Sequence, residues 1–95
     1  ILVLKDARTL VMQKEKCYIN LSGNSGMATA GAGDVLTGII LGLLAQRVEP
    51  YIAATLGVYI HGIAGEEAAN KKGAYSVTAR DLVKMIPEVL LKSKL

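Results

Sequence analysis

The run Gly23-Asn24-Ser25-Gly26-Met27-Ala28-Thr29-Ala30-Gly31-Ala32-Gly33-Asp34 spaces four glycines along a loop and delivers one carboxylate where an apolar stretch begins. Glycines let the backbone adopt φ > 0 and approach a ligand closely. A helix that follows such a loop offers unpaired N–H groups and the positive end of its dipole to an anion. That is the chemistry of a phosphate-handling site. Asp34 complicates it: a carboxylate in a first turn favours the helix but repels a bound phosphate. It is therefore either a plain helix start or a base aimed at a substrate hydroxyl.

The elements around this run have to position it. Ile1 to Lys5 reads as a strand. Thr9 to Gln13 and Cys17 to Asn20 read as two more, joined in a hairpin by the polar turn Lys14-Glu15-Lys16. Gly33 to Gln46 reads as a helix that is apolar nearly all round, which predicts burial between layers, and its Gly38 and Gly42 predict close packing against a neighbour. Pro50 suits the first turn of a second, mostly buried helix over 50–70, closed by Lys71, Lys72 and Gly73. Thr78-Ala79-Arg80-Asp81 is a capping-box-like start for a third helix. Its Leu82, Val83, Met85, Ile86, Val89 and Leu90 share a broad face, and Pro87 is expected to kink or restart it. Strands followed by a block of buried helices predict the trailing part of a layered α/β fold. The opening Ile1-Leu2-Val3-Leu4, without an initiator methionine, reads as a strand covered on both faces and the chain as a fragment.

Composition narrows the function classes. Ninety-five residues, 52% hydrophobic and 20% charged, fit one ordered domain or a part of one. The net charge of +3 is scattered, and with four tyrosines but no tryptophan or phenylalanine it lacks the basic, aromatic-lined surface that nucleic acids require. The apolar run from Val35 to Ala45 falls short of the roughly 20 residues that span a bilayer, so no membrane partner is expected. No secretory leader is evident. The single cysteine, Cys17, fits a reducing compartment and reads as a small buried hydrophobe. A Walker A loop fails because Gly31 is followed by Ala32 and not lysine. A GxGxxG fingerprint fails because Leu36 stands where the third glycine belongs. His61 is the only histidine, and Glu66 and Glu67 lie off its helical face. It reads as packed or hydrogen-bonded, no metal-ligand set is expected, and Asp81 reads as a capping carboxylate.

The hexapeptide Thr29-Ala30-Gly31-Ala32-Gly33-Asp34 resembles the nucleotide-site signature of the ribokinase-like superfamily. The wider context comprises Val3-Leu4-Lys5, Thr9, Gly23-Asn24, Gly26 through Ile40, Leu44-Ala45-Gln46, His61-Gly62-Ile63-Ala64-Gly65 and Thr78 through Leu82. Together these blocks resemble the C-terminal part of the ADP/ATP-dependent NAD(P)H-hydrate dehydratases, nearly end to end. The Met27-Ala28-Thr29 approach and the His61-Gly62 block separate that family from sugar kinases. Two positions depart from its pattern: Asp6 stands where a glycine is usual and Ser25 where a proline is usual.

The resemblance implies an α/β fold: the C-terminal fragment of a ribokinase-like three-layer domain, with short strands or a hairpin followed by three helices, residues 1–95 being part of a single dehydratase domain. It implies a lyase that repairs hydrated NADH or NADPH, with ADP or ATP and Mg2+, by phosphorylating the ring hydroxyl and expelling phosphate. Asp34 would be the base and touch the substrate. The N–H groups of Gly31, Ala32 and Gly33 would face the transferred phosphoryl group. Lys5, Asp6, Ala7, Arg8 and Thr9, with Asn24, Ser25, Gly26, Met27, Ala28, Thr29 and Ala30, would line the nucleotide. A cytoplasmic homo-oligomer is implied. The region upstream of Ile1 would supply most of the sheet and part of the nicotinamide pocket, so the isolated fragment is expected to be inactive. Two other functions use the same residues. A kinase of a small hydroxymethyl compound would release a stable phosphorylated product, and a non-catalytic nucleotide-binding module would be indifferent to Asp34→Asn.

Overall fold

The computed structural model describes residues 1–4, 9–23, 31–73 and 76–93. Three strands, β1 (Leu2–Leu4), β2 (Thr9–Gln13) and β3 (Lys16–Asn20), precede three helices, α1 (Ala32–Ala45), α2 (Pro50–Lys72) and α3 (Ala79–Ser93). The strands form one antiparallel sheet in the order β1-β2-β3. Val3 lies opposite Val11, and Val11 opposite Tyr18. These three therefore share one face, as the period of two along a strand requires. The hairpin turns at Lys14 and Glu15, with Lys14 in the left-handed region at φ 39°, and Lys16 belongs to β3.

Helices α1 and α2 cover the Val3–Val11–Tyr18 face. Val11, Leu36, Ala54 and Val58 form the core there, with Val3, Tyr18, Ile40 and Tyr51 packed around it. Two further clusters join the helices: Ala32, Ala68, Val77 and Leu82 near the start of α1, and Ile60, Ala64 and Val89 between α2 and α3. Helix α2 is the hub, since its residues enter all three clusters and ten of them are buried. Ion pairs Lys71–Glu88, Lys72–Asp81 and Lys92–Glu67, each at 3.2–3.3 Å, tie α2 to α3 along the solvent side. Exposed pairs of this kind contribute at most about 1 kcal/mol each.

Six expectations from the sequence are corrected. Strand β1 is not covered on both faces: alternation sends Val3 to the helices, while Leu2 and Leu4 point to the other face and stay exposed. Cys17 is exposed because it points to the same side as Met12, its cross-strand partner, away from the Val11–Tyr18 face. Helix α1 is not buried all round; only Ala32 and Leu36 are buried, and Leu41 and Leu44 are exposed. A Cβ added at Gly38 or Gly42 would meet nothing within 4 Å among the described residues, so the close approach of α1 to α2 is made elsewhere, at Gly57. A Cβ on Gly57 would stand 2.7 Å from Ile40 Cγ1. Helix α3 runs through Pro87 as one helix, so the expected restart there does not occur. Pro87 is exposed, and Met85, Ile86 and Val89 pack on α2 on either side of it, which holds the turn despite its missing backbone hydrogen bond. Val83 and Leu90 are also exposed, so the buried stripe of α3 is narrower than its composition suggests.

Candidate active site

Helix α1 starts on Gly31, which sits in the left-handed region at φ 87° and ψ −7°. A side chain there would be strained whatever the space, and its Cβ would also stand 3.1 Å from Ala79 Cβ. The first intrahelical bond runs from Val35 N–H to Gly31 O at 3.1 Å. The N–H groups of Ala32, Gly33 and Asp34 therefore precede the ladder, and no side-chain bond caps Gly31 among the described residues. Asp34 lies in this first turn and is exposed. Its neighbour Thr37 is committed to the helix, donating its hydroxyl to Gly33 O at 3.0 Å. Gly33 also lines a concavity of about 310 Å³ with Val3 of β1 and Leu36, Thr37, Ile40 and Leu41 of α1. Main-chain donors and a carboxylate with no hydrogen bond among the described residues thus stand at the start of α1, and an apolar hollow runs from Gly33 along the helix to Leu41.

Helix α2 holds this end in place. His61, buried to 2% exposure, lies 2.9 Å by Nε2 from Ala32 O. A carbonyl only accepts, so the proton is on Nε2 and His61 donates. This confirms the hydrogen-bonded histidine expected from the sequence. On the other side of the loop, β3 ends at Asn20, which is 4% exposed and fully partnered. Its Oδ1 accepts from the Tyr18 and Ser22 hydroxyls, each at 3.0 Å. Its Nδ2 donates to Ser22 O at 3.2 Å and to Val58 O of α2 at 3.4 Å. Burial, and secondarily the nearby Tyr59 phenol, push the Tyr18 hydroxyl above its ordinary pKa, which keeps it a donor to Asn20. One residue further, Gly23 N–H donates to Glu66 Oε1 at 3.0 Å. Gly62 makes this approach possible: a Cβ there would fall on Ser22 Oγ and stand 2.8 Å from Ser22 Cβ and 3.0 Å from Asn20 Nδ2.

Of the residues expected at the site, Gly31, Ala32, Gly33 and Asp34 come together at the start of α1, and Thr9 opens β2 half-buried. Lys5, Asp6, Ala7 and Arg8, and Asn24 through Ala30, lie outside the described residues. Sequence reasoning missed Asn20, Ser22 and Glu66. The available signal was the spacing of Val58, Gly62 and Glu66 at i, i+4 and i+8, which puts them on one stripe of α2. Among the described residues no three His, Cys, Asp or Glu side chains gather to hold a metal ion, and no helix is long and apolar enough to cross a membrane.

Asp81 caps α3 as expected: Thr78 N–H and Oγ1 donate to its Oδ2 at 2.8 and 2.9 Å, and Asp81 N–H donates to Thr78 Oγ1 at 3.3 Å. These bonds, and more weakly Lys72, hold its carboxyl below the usual range.

Comparison with known proteins places these features in a family. The family model described as NAD(P)H-hydrate dehydratase matches residues 1–88. A bifunctional NAD(P)H-hydrate repair enzyme of Moorella thermoacetica is 53% identical over 91 residues, which are 95% of this chain and 17% of that protein. An ADP-dependent (S)-NAD(P)H-hydrate dehydratase of Neisseria meningitidis is 49% identical over 72 residues, 75% of this chain and 24% of that protein. The solved structure of Bacillus subtilis YxkO, a member of the UPF0031 family, superposes with a TM-score of 0.90 at 34% identity. The match covers 95% of this chain and 34% of that one. The three strands and three helices are thus a fragment of this larger ribokinase-like fold, and the chain spans about a sixth to a third of the length of these proteins.

Proposed function

Because this chain belongs to the NAD(P)H-hydrate dehydratase family, we propose that the polypeptide carrying it removes water from hydrated NADH or NADPH at the expense of ADP or ATP. In this reading residues 1–95 are part of one ribokinase-like dehydratase domain. The observation that carries the proposal is the start of α1, where an exposed Asp34 stands beside main-chain N–H groups that no described side chain caps.

Each group has a task. An alcohol is a poor nucleophile until a positioned base takes its proton, and in this reading Asp34 takes it from the ring hydroxyl. The hydroxyl oxygen attacks the terminal phosphorus of the nucleotide, and the nucleotide leaves one phosphate shorter. The N–H groups of Ala32 and Gly33, with the left-handed Gly31 turning the chain toward them, stabilise the negative charge on the transferred group. The ring nitrogen's lone pair then expels phosphate, and loss of a proton from the adjacent carbon restores the reduced ring. Thr9, with Lys5 through Arg8 and Asn24 through Ala30, belongs to the proposed nucleotide site on the resemblance alone.

Among the described residues the donor set near Asp34 holds one carboxylate, which does not suit a metal gripped by the protein but suits Mg2+ carried on nucleotide phosphates, where it would neutralise their charge. A cytoplasmic homo-oligomer belongs to the same proposal. The test incubates the native polypeptide carrying this sequence with hydrated NADPH and ADP or ATP. Reduced-nicotinamide absorbance should return together with one phosphate per ring. A stable phosphorylated product would favour a kinase of a small hydroxymethyl compound instead.

A further inference from the structure

Helix α2 touches the chain on both sides of residues 24–30. Glu66 Oε1 accepts from Gly23 N–H at 3.0 Å before them, and His61 Nε2 donates to Ala32 O at 2.9 Å after them. The two grips lie five positions apart on one helix, so the separation of Gly23 from Ala32 is set by the length of α2 between His61 and Glu66. Neither group is a core-filling accident. Ala32 already belongs to the α1 ladder, yet its carbonyl receives a second donor from a buried ring. Glu66 takes the Gly23 amide, while its neighbour Glu67 pairs with Lys92 of α3. The Asn20–Ser22 node against Val58 and Gly62 brings the chain to Glu66 in register.

We infer that Glu66 and His61 are positioning residues for nucleotide binding. Together they fix Gly23 after β3 and Ala32 at the start of α1, and so aim the Gly31–Asp34 turn. This rests on the functional reading above and adds to it two residues that act through the backbone groups they hold. The contrast between Glu66 and Glu67 makes it testable, because adjacent carboxylates on one helix hold different partners. Glu66→Ala removes the grip on Gly23, Glu66→Gln keeps an acceptor oxygen for it, and Glu67→Ala breaks only the surface pair with Lys92.

The experiment measures ADP affinity by calorimetry, and melting temperature, for the native polypeptide and these three variants, with no nicotinamide substrate present. Glu66→Ala is expected to weaken ADP binding about threefold to tenfold, the span of one lost hydrogen bond's worth of positioning. Its melting temperature should move no further than that of Glu67→Ala, whose ADP affinity stays at the native value. Glu66→Gln should recover affinity to within about twofold. Native affinity in Glu66→Ala, no recovery in Glu66→Gln, or an affinity loss that simply tracks melting temperature would each overturn the positioning role and leave the functional reading standing. A native polypeptide that binds neither ADP nor ATP would overturn both. His61→Phe, which keeps ring volume but removes the donor, should weaken ADP binding in the same direction.

Discussion

Helices α2 and α3 each carry, at the N-cap or in the first turn, an acidic side chain that turns back onto the backbone of the helix start, whereas α1 begins on a glycine and leaves its carboxylate exposed. Glu49 accepts from Tyr51 N–H and Ile52 N–H, each at 3.1 Å, and Asp81 forms a capping box with Thr78. Both are structural: their charge goes to their own helix's orphan donors. Asp34 is likewise a carboxylate at a helix start, in the first turn as Asp81 is, but no described hydrogen bond occupies it. The difference teaches that an acidic residue at a helix start is not by itself a cap or a site. What separates them is whether the carboxylate consumes the helix's N–H groups or stands beside them.

The comparison breaks most sharply at the glycines that support the uncapped start. Gly62→Ala drives a methyl group into Ser22 and Asn20, and is expected to cost about 2–3 kcal/mol of stability, read by denaturant unfolding of the native polypeptide. Little loss would mean that the β3 exit can shift away from α2. Gly31→Ala forces a left-handed alanine at the turn into α1, costing about 1–2 kcal/mol, and should weaken nucleotide binding as well. By contrast, Thr78→Ala removes half of the α3 capping box, should cost about 1 kcal/mol and should leave turnover unchanged.

The smallest effect is in acid. Glu49 and Asp81 are held below their ordinary pKa values, each chiefly by backbone N–H donors, from Tyr51 and Ile52 and from Thr78 respectively. A carboxylate with a lowered folded pKa contributes stability that is present above its unfolded pKa and is lost as pH falls through the folded value. Melting temperature should therefore decline below about pH 4, and the decline should be shallower in Glu49→Gln. An equal decline in that variant would remove Glu49 from the account.

How much of this could be read from the residues differs by element. Strand β2 and the start of α2 at Pro50 were legible because alternation and proline chemistry are local. The α3 capping box was legible for the same reason, since Thr78 and Asp81 satisfy each other within one turn. Burial was less legible. The apolar residues of α1 exceed the surface that α2 and the sheet cover, and Cys17 falls on whichever face the hairpin register gives it. Gly38 and Gly42 carry the small-residue spacing, yet it is Gly57 and Gly62 that meet a neighbour, because close approach depends on which helix face turns inward. At the site, the glycines and Asp34 stood out by type. Glu66 and Asn20 did not, because their roles come from contacts 43 and 38 residues away in the chain.

The central claim is that Asp34 is a base and not a cap, and Asp34→Asn in the native polypeptide tests it most directly. The exchange keeps the side chain's size and removes its basicity. With hydrated NADPH and saturating ADP, single-turnover phosphate release is predicted to fall by about 10² to 10⁴-fold while ADP affinity and melting temperature stay near native. Phosphate release at the native rate would contradict the account and leave Asp34 as the first-turn carboxylate of an ordinary helix.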